Sequence, residues 1–347
     1  MRYLTRGYEG VMAVEEKILI KLKKQFPGNF LELPEKFKAT DKNGRTAWKY
    51  YKNGSNFLYS DKLQYYYETY SENLFKGTLV NHRAEFERAA GHEIECNGYG
   101  VQKMAAIKSS SALLFNTLGD DKYVAIKGPV LPNGNFHLKY EEPLPAIDPR
   151  YPAYIDGFLK DENGMFIFIE SKMLEYLNLP RKLKKAYLDC EQYQLWKIDP
   201  YAAKSFQKLF EQSCCDKSLS KNGEYKSVIP AYDIFQILIH SMAILTFLLK
   251  LKDNVKEVFL VNTVWNIPEK STDFLGEDKE EYLGKWENVV TGVGHLQEYY
   301  LPEIQEIYKS ALGNEVIFSF CFLKWSDFKE MVEMDIERKE YLKKYEL

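Results

Sequence analysis

The segment that most constrains this chain runs from Tyr154 to Lys172. It reads Tyr154-Ile155-Asp156-Gly157, then the turn signal Asp161-Glu162-Asn163-Gly164, then Met165-Phe166-Ile167-Phe168-Ile169-Glu170-Ser171-Lys172. Two apolar runs around an Asn-Gly turn predict an antiparallel hairpin over about 151–159 and 165–171. A strand reading Met-Phe-Ile-Phe-Ile is expected to be buried on both faces, so charges at its end need partners or a task. Glu-x-Lys alone means little. It occurs five times, beginning at Glu15, Glu170, Glu224, Glu277 and Glu337, and only the copy at Glu170 ends an apolar strand.

Loop length decides what the hairpin does with its charges. A three-residue loop, Glu162-Asn163-Gly164 with Gly164 left-handed, makes the numbers of paired residues sum to 326 and sets Asp156 opposite Glu170. Both carboxylates then share a face with Lys172. A two-residue loop would put them on opposite faces, unless a bulge restored the alignment. Two bare carboxylates this close raise each other's pKa unless a cation lies between them. Oxygen ligands without His or Cys suit Mg²⁺ or Mn²⁺ and not zinc. A neighbouring lysine can orient or help deprotonate a water and offset phosphate charge. These are the parts of metal-assisted phosphodiester hydrolysis. The plainer reading is a surface carboxylate pair with a lysine salt bridge, and burial of the strand argues against it.

Around this segment the pattern is that of a mixed α/β domain. Helices are expected at Val14–Gln25, over 61–90, at Ser109–Leu118 (capped by serines and closed by Gly119), over about 181–198, 231–251 and 278–312, and at the charged C-terminus. Strands are expected at Phe136–Tyr140, Glu257–Trp265 and Val316–Leu323. The fold class expected is therefore α/β, a central mixed β-sheet with an antiparallel hairpin, flanked by helices.

Composition narrows the class of protein further. The 347 residues carry 47 Lys+Arg against 50 Asp+Glu, a net charge of -3, which argues against a protein that coats nucleic acid by bulk charge. Five scattered cysteines (Cys96, Cys190, Cys214, Cys215, Cys321) form no C-x-x-C pair, which fits a reducing cytoplasm. No apolar leader is visible in residues 1–17. The most apolar stretch, Ile234–Leu249, is shorter than the ~20 residues a bilayer needs and holds Gln236, His240 and Ser241, so a buried helix and no membrane partner are expected. No P-loop, complete dinucleotide fingerprint, H-E-x-x-H or G-x-S-x-G is present.

With Asp156, a 14-residue gap and Glu170-Ser171-Lys172 at the end of the next strand, the chain resembles the PD-(D/E)XK superfamily of restriction-endonuclease-like nucleases. Ile155 stands where that family has proline. A wider likeness to a bacterial subgroup of uncharacterised members spans about residues 80–265. It is carried by Gly91-His92-Glu93, Ser109-Ser110-Ser111-Ala112-Leu113 with Asn116, and Glu170-Ser171-Lys172 followed by Glu175-Tyr176. The resemblance implies a restriction-endonuclease-like core and a Mg²⁺-dependent (or Mn²⁺-dependent) endonuclease acting on DNA. Asp156, Glu170 and Ser171 would be the metal positions, with Lys172 positioning the water. It also implies a further glutamate, for which Glu93 fits best, ahead of Glu85, Glu87 and Glu142. The alternative is a catalytically silent module of the same fold that binds nucleic acid or protein. Cutting of both strands often needs two active sites, which leaves a homodimer open. The length then reads as a nuclease domain with helical insertions over 76–347 behind a mostly helical extension, 1–75.

Other residues carry weaker signals. Gln194 is an accessory candidate near metal or DNA backbone, against an ordinary polar helix residue. Ser109 and Ser110 are accessory candidates for a phosphate at a helix N-terminus, against simple capping. Arg181, Lys182, Lys184 and Lys185 form a basic run that could meet phosphates, against a solvated face. His240 reads as a satisfied core histidine, and Tyr65-Tyr66-Tyr67 as core packing before base stacking.

Overall fold

In the computed structural model the hairpin is the middle of a six-stranded sheet. The structure describes residues 4–30, 38–40, 46–52, 55–59, 65–89, 93–96, 102–150, 152–177, 182–215, 224–229, 232–251 and 254–347. In chain order come α1 (Leu4–Lys23), β1 (Lys38–Thr40), β2 (Thr46–Lys52), β3 (Ser55–Tyr59), α2 (Arg83–Arg88) and α3 (Ser110–Leu118). Then follow β4 (Tyr123–Ile126), β5 (Gly134–Leu144), β6 (Ala153–Lys160), β7 (Met165–Lys172), β8 (Leu183–Lys184) and α4 (Pro200–Gln212). Next are β9 (Cys214–Cys215), β10 (Glu224–Ser227), α5 (Ile234–Leu251) and β11 (Glu257–Val264). The chain closes with α6 (Lys279–Tyr299), α7 (Leu301–Leu312), β12 (Ile317–Lys324), α8 (Trp325–Met331) and α9 (Ile336–Leu342).

The chain packs as two compact units. One is Met1–Val14 with Lys122–Glu333, the other Glu15–Asp121 with Met334–Leu347. The boundary expected near residue 75 falls inside the second unit, which also carries the antiparallel sheet β1-β2-β3.

In the first unit the sheet order is β12-β11-β7-β6-β5-β4. Strands β4 to β7 form an antiparallel meander, whereas β7, β11 and β12 are mutually parallel. Parallel neighbours need long crossovers, supplied here by the connection that holds α4 and α5 and the one that holds α6 and α7. Strand β11, between β12 and β7, is buried at every position after Glu257, Asn262 and Thr263 among its apolar residues included. Helix α5 lies against the sheet, with Phe247 packed on Phe158 (5.6 Å) and Phe168 (6.1 Å), and α4 and α7 close over it. It is long and apolar enough to cross a membrane, with mean hydropathy 1.9 over 18 residues. But 72% of that window is buried, as in a core helix.

The hairpin register is as the three-residue loop requires. Gly157 pairs with Ile169, Phe158 with Phe168, Leu159 with Ile167 and Lys160 with Phe166, every pair summing to 326. Gly164 has φ +91, and a Cβ on it would stand 2.1 Å from the Asn254 main-chain oxygen. Asp161 ties the turn: its Oδ1 accepts from the N–H groups of Asn163 (2.9 Å) and Met165 (2.8 Å).

Several elements differ from expectation. Helix α1 starts at Leu4 and not near Val14. Residues 65–89 are not one helix but short 3₁₀ turns at Tyr70–Asn73 and Phe75–Gly77, followed by α2. Left-handed Lys76 (φ 57) and Gly77 (φ 64) break the spiral, and buried Asn73 bonds the carbonyls of Met104 and Ala106 instead. The described part of 181–198 is likewise β8 and three 3₁₀ turns. Strand β4 and helix α4 were not expected, although Asp199-Pro200 is a helix-start signature. Its Asp199 Oδ1 accepts from Tyr201 N–H (3.0 Å) and Ala202 N–H (2.9 Å).

Candidate active site

The site is built where β6 begins and β7 ends. Strand β5 carries a left-handed residue, Glu141 (φ 47), and the β5–β6 ladder runs from Tyr140–Gly157 to Glu142–Ile155 without pairing Glu141 to Asp156. Alternation breaks at this point. Lys139 and Glu142, three apart, come to 3.7 Å, and Ile155 and Phe158, also three apart, share the core beneath α5. A non-glycine residue at positive φ costs of order 1–3 kcal/mol and tends to persist where function or packing demands it. Asp156 therefore leaves the regular pleat, and its Oδ2 accepts the Ser171 N–H at 2.6 Å. That bond fixes one carboxylate to the main chain directly after Glu170.

Glu170 is 3% exposed and lies under α5. Its Oε1 accepts from Lys172 Nζ and from Gln236 Nε2, both at 2.5 Å, and its Oε2 is 3.5 Å from His240 Nδ1. Gln236 and His240 are four apart on α5 and so present one face to Glu170. Asn262, the parallel partner of Glu170 on β11, donates to the Glu170 carbonyl (3.2 Å) and accepts from the Tyr232 hydroxyl (2.7 Å). Burial, then the charges of Asp233 and Glu170, hold that hydroxyl well above its ordinary range.

Lys172 is the cation of this cluster. Burial pulls its ammonium down, but Glu170, Glu175 and Asp156 together outweigh it, and its pKa ends above the ordinary lysine value. These three carboxylates favour the charged form of Lys172. Glu175 is exposed and accepts the Met173 N–H at 2.6 Å.

Ser171 and Glu142 adjoin the carboxylates along the chain and across the ladder, since Glu142 pairs with Ile155. Ser171 is 1% exposed, and its main-chain N–H is its link to Asp156. Glu142, 8% exposed on β5, faces Lys139. Glu93 belongs to the other unit, where it is 9% exposed and 3.6 Å from Lys103 Nζ. On α2 Glu87 pairs with Arg83 (2.7 Å), and Glu85 with His82 (2.9 Å). Ser109 caps α3, accepting from Ala112 N–H at 3.1 Å, and Ser110 is the first residue of that helix. Gln194 Oε1 accepts from Lys250 Nζ at 2.7 Å, so the glutamine at the carboxylates is Gln236. Lys182, Lys184 and Lys185 are exposed, while Arg181, Gly91 and His92 lie outside the described residues. Tyr65 and Tyr67 are buried (2% and 1%), as core packing requires.

Sequence reasoning missed Gln236 and His240. Their signal was there: two polar side chains one turn apart in an otherwise apolar buried helix need polar partners.

The chain matches no protein-family model, no curated protein and no solved structure.

Proposed function

We propose that this chain is a metal-dependent deoxyribonuclease, hydrolysing DNA phosphodiester bonds from a restriction-endonuclease-like core. The observation that carries the reading is Asp156, held by the Ser171 N–H directly after Glu170, beside a Glu170 whose Oε1 accepts from Lys172 Nζ. Among the described residues no three His, Cys, Asp or Glu side chains form a metal cage. Mg²⁺ does not need one, since it keeps several waters and is commonly held by one or two carboxylates. Asp156 and Glu170 are hard oxygen donors and fit that ion. When bound, Mg²⁺ or Mn²⁺ supplies Lewis acidity and a more acidic water. The chain's own part is positional: Ser171 N–H holds Asp156, Gln236 holds Glu170, and protonated Lys172 offsets phosphate charge.

The purified chain is expected to nick or cut plasmid and linear DNA with Mg²⁺ or Mn²⁺. Asp156→Ala and Lys172→Ala are expected to lower the rate by about 10²–10³-fold, the scale of losing one electrostatic stabiliser. Equal activity of these variants and the wild type, or no cutting with either metal, overturns the reading.

A catalytically silent module of the same fold is the second reading. It is favoured by the engagement of Glu170 Oε1 with both Lys172 and Gln236. Retained DNA binding with no Mn²⁺ binding at Asp156 and Glu170 would select it.

A further inference from the structure

We infer that β12 is an interface through which two copies of this chain join, edge to edge and antiparallel, into a single sheet of twelve strands, six from each. The two ends of the six-stranded sheet are treated differently. β4 is only four residues long, and segment 331–333 covers its outer side. There Lys127 N–H donates to the Met331 carbonyl (2.7 Å), Glu333 N–H donates to the Ala125 carbonyl (2.9 Å) and Ile126 bridges Val332. β12, at the other end, is eight residues long, and among the described residues no strand pairs with its outer side.

The ladder fixes which groups that outer side offers. Ile317 N–H donates to the carbonyl of Lys256, just before β11 (2.9 Å), so the odd-numbered residues of β12 bond inward. The N–H groups of Phe318, Phe320 and Phe322 and the carbonyls of Phe320 and Phe322 therefore point outward. The Phe318 carbonyl accepts from Gln305 Nε2 (3.2 Å), a side-chain amide that a strand N–H can replace. An edge left open is normally blunted by a charge, a proline or a bulge. From Ile317 to Leu323 there is no charged residue and no proline, and no residue there has positive φ. Ile317 is 53% exposed, and Ser319 and Cys321 are half-buried small residues on the same face.

A second copy of this chain is the occupant that fits. Glu315 and Lys324 bracket the strand, both exposed and neither in an ion pair among the described residues. Antiparallel pairing centred on Phe320 sets Phe318 against Phe322 and Val316 against Lys324, which brings a carboxylate and an ammonium together at each end. Parallel pairing of two copies would put lysine beside lysine and glutamate beside glutamate. A two-fold contact is also closed. It consumes both open edges, and the joined sheet then ends on each side in a covered β4, so assembly stops at two. The contact is independent of the hydrolytic chemistry proposed above.

The test is sedimentation of the full chain, kept reduced, over about 1 to 100 µM, the range in which a modest interface associates. A reversible monomer–dimer equilibrium is expected, rising from 40.7 kDa towards twice that mass. Amide exchange at Phe318, Phe320 and Phe322 is expected to slow in concentrated samples relative to dilute ones. Ile317→Lys with Ser319→Lys sets like charges across the joint and is expected to weaken association about tenfold or more. Glu315→Lys and Lys324→Glu, both at exposed positions, are each expected to weaken it several-fold. Combining those two is expected to restore it, a recovery that damage to the fold could not give. A chain monomeric at every concentration overturns the inference and leaves the edge to a different protein. A dimer whose affinity none of these variants changes, or growth beyond the dimer, overturns it as well. Asp156→Ala is expected to dimerise as the wild type does, so failure here and failure of the cleavage reading are told apart.

Discussion

At Glu170 one buried carboxylate meets two donors, and the two are not equivalent. Gln236 satisfies lone pairs, while Lys172 also cancels the charge. Removing one partner of a buried pair leaves an uncompensated charge and costs roughly 3–5 kcal/mol. Lys172→Met is therefore expected to lower unfolding stability by about that much. Glu170→Gln with Lys172→Met should recover most of it, and a double-mutant cycle by denaturant unfolding measures the coupling. Additive losses would mean that the two groups do not support each other. Lys344, in the other unit, is the opposite case. It is 9% exposed with its Nζ 3.6 Å from the Tyr341 ring centre and 4.4 Å from that of Phe26, and it faces no carboxylate among its ring contacts. Burial pulls its amine down from 10.5 to about 7. Between these values the unfolded chain binds the proton that the folded chain has released, so stability rises with pH from about 7 towards 10.5. Below pH 7 the folded chain carries the full penalty of a buried charge. Lys344→Met is expected to be more stable than wild type at pH 6–7 and to flatten the rise, as read by denaturation midpoints at several pH values; parallel pH profiles would refute this. Asp156, Glu170 and Lys172 were legible because strand chemistry made their charges conspicuous. Gln236 and His240 signalled a need for polar partners but not which ones, because pairing across 66 and 70 residues leaves no local pattern.

Among the elements, the hairpin is the part most completely determined by local chemistry. Asp161, Asn163 and Gly164 set loop length, and loop length sets a register that runs to Gly157–Ile169, beyond which Asp156 turns to the Ser171 N–H next to Glu170. Gly164 is the least replaceable of the three. Its φ of +91 is strained for any L side chain, and the Asn254 main-chain oxygen already occupies the place of a Cβ. Gly164→Ala is expected to cost about 1–3 kcal/mol, the scale of forced left-handed backbone, plus the displacement of residue 254. A thermal unfolding shift of several degrees, with any cleavage reduced in parallel, is the expected result; an unchanged transition would show that the turn adapts freely. The break of alternation at Glu141 was not legible, since nothing in Tyr140-Glu141-Glu142 marks a left-handed residue. The 3₁₀ segments of 70–77 and 185–197 escaped detection for a related reason. Their apolar spacing is loosely helical, but Asn73 is tied to the distant carbonyls of Met104 and Ala106, and Asp189 bonds the Glu191 N–H close by.

For the molecule as a whole, sheet order follows from composition of the strands better than unit boundaries do. A largely apolar β11 belongs inside a sheet and not at its edge, and it is there, with parallel neighbours on both sides. No composition shift marks Asp121 or Met334, because a chain that leaves and re-enters a unit crosses its boundary in ordinary sequence. The consequence that reaches the whole first unit is ligand linkage. On the proposed reading, a cation held by Asp156 and Glu170 would join β6 to β7 in the folded state and would have no preformed site in the unfolded chain. At a hundred times its Kd it adds about 2.7 kcal/mol. For a unit of roughly 150–250 residues that is a rise of about 5–11 °C in Tm. Mn²⁺ added to chelator-treated protein is expected to raise the transition of this unit by that order. Asp156→Ala and Glu170→Gln are expected to remove the metal-dependent rise even where their own stability differs from wild type, because each deletes a ligand. Ca²⁺, larger and needing more oxygen donors than two carboxylates provide, is expected to give a smaller shift. A rise of equal size in wild type and both variants would place the cation elsewhere and detach the carboxylate pair from metal chemistry.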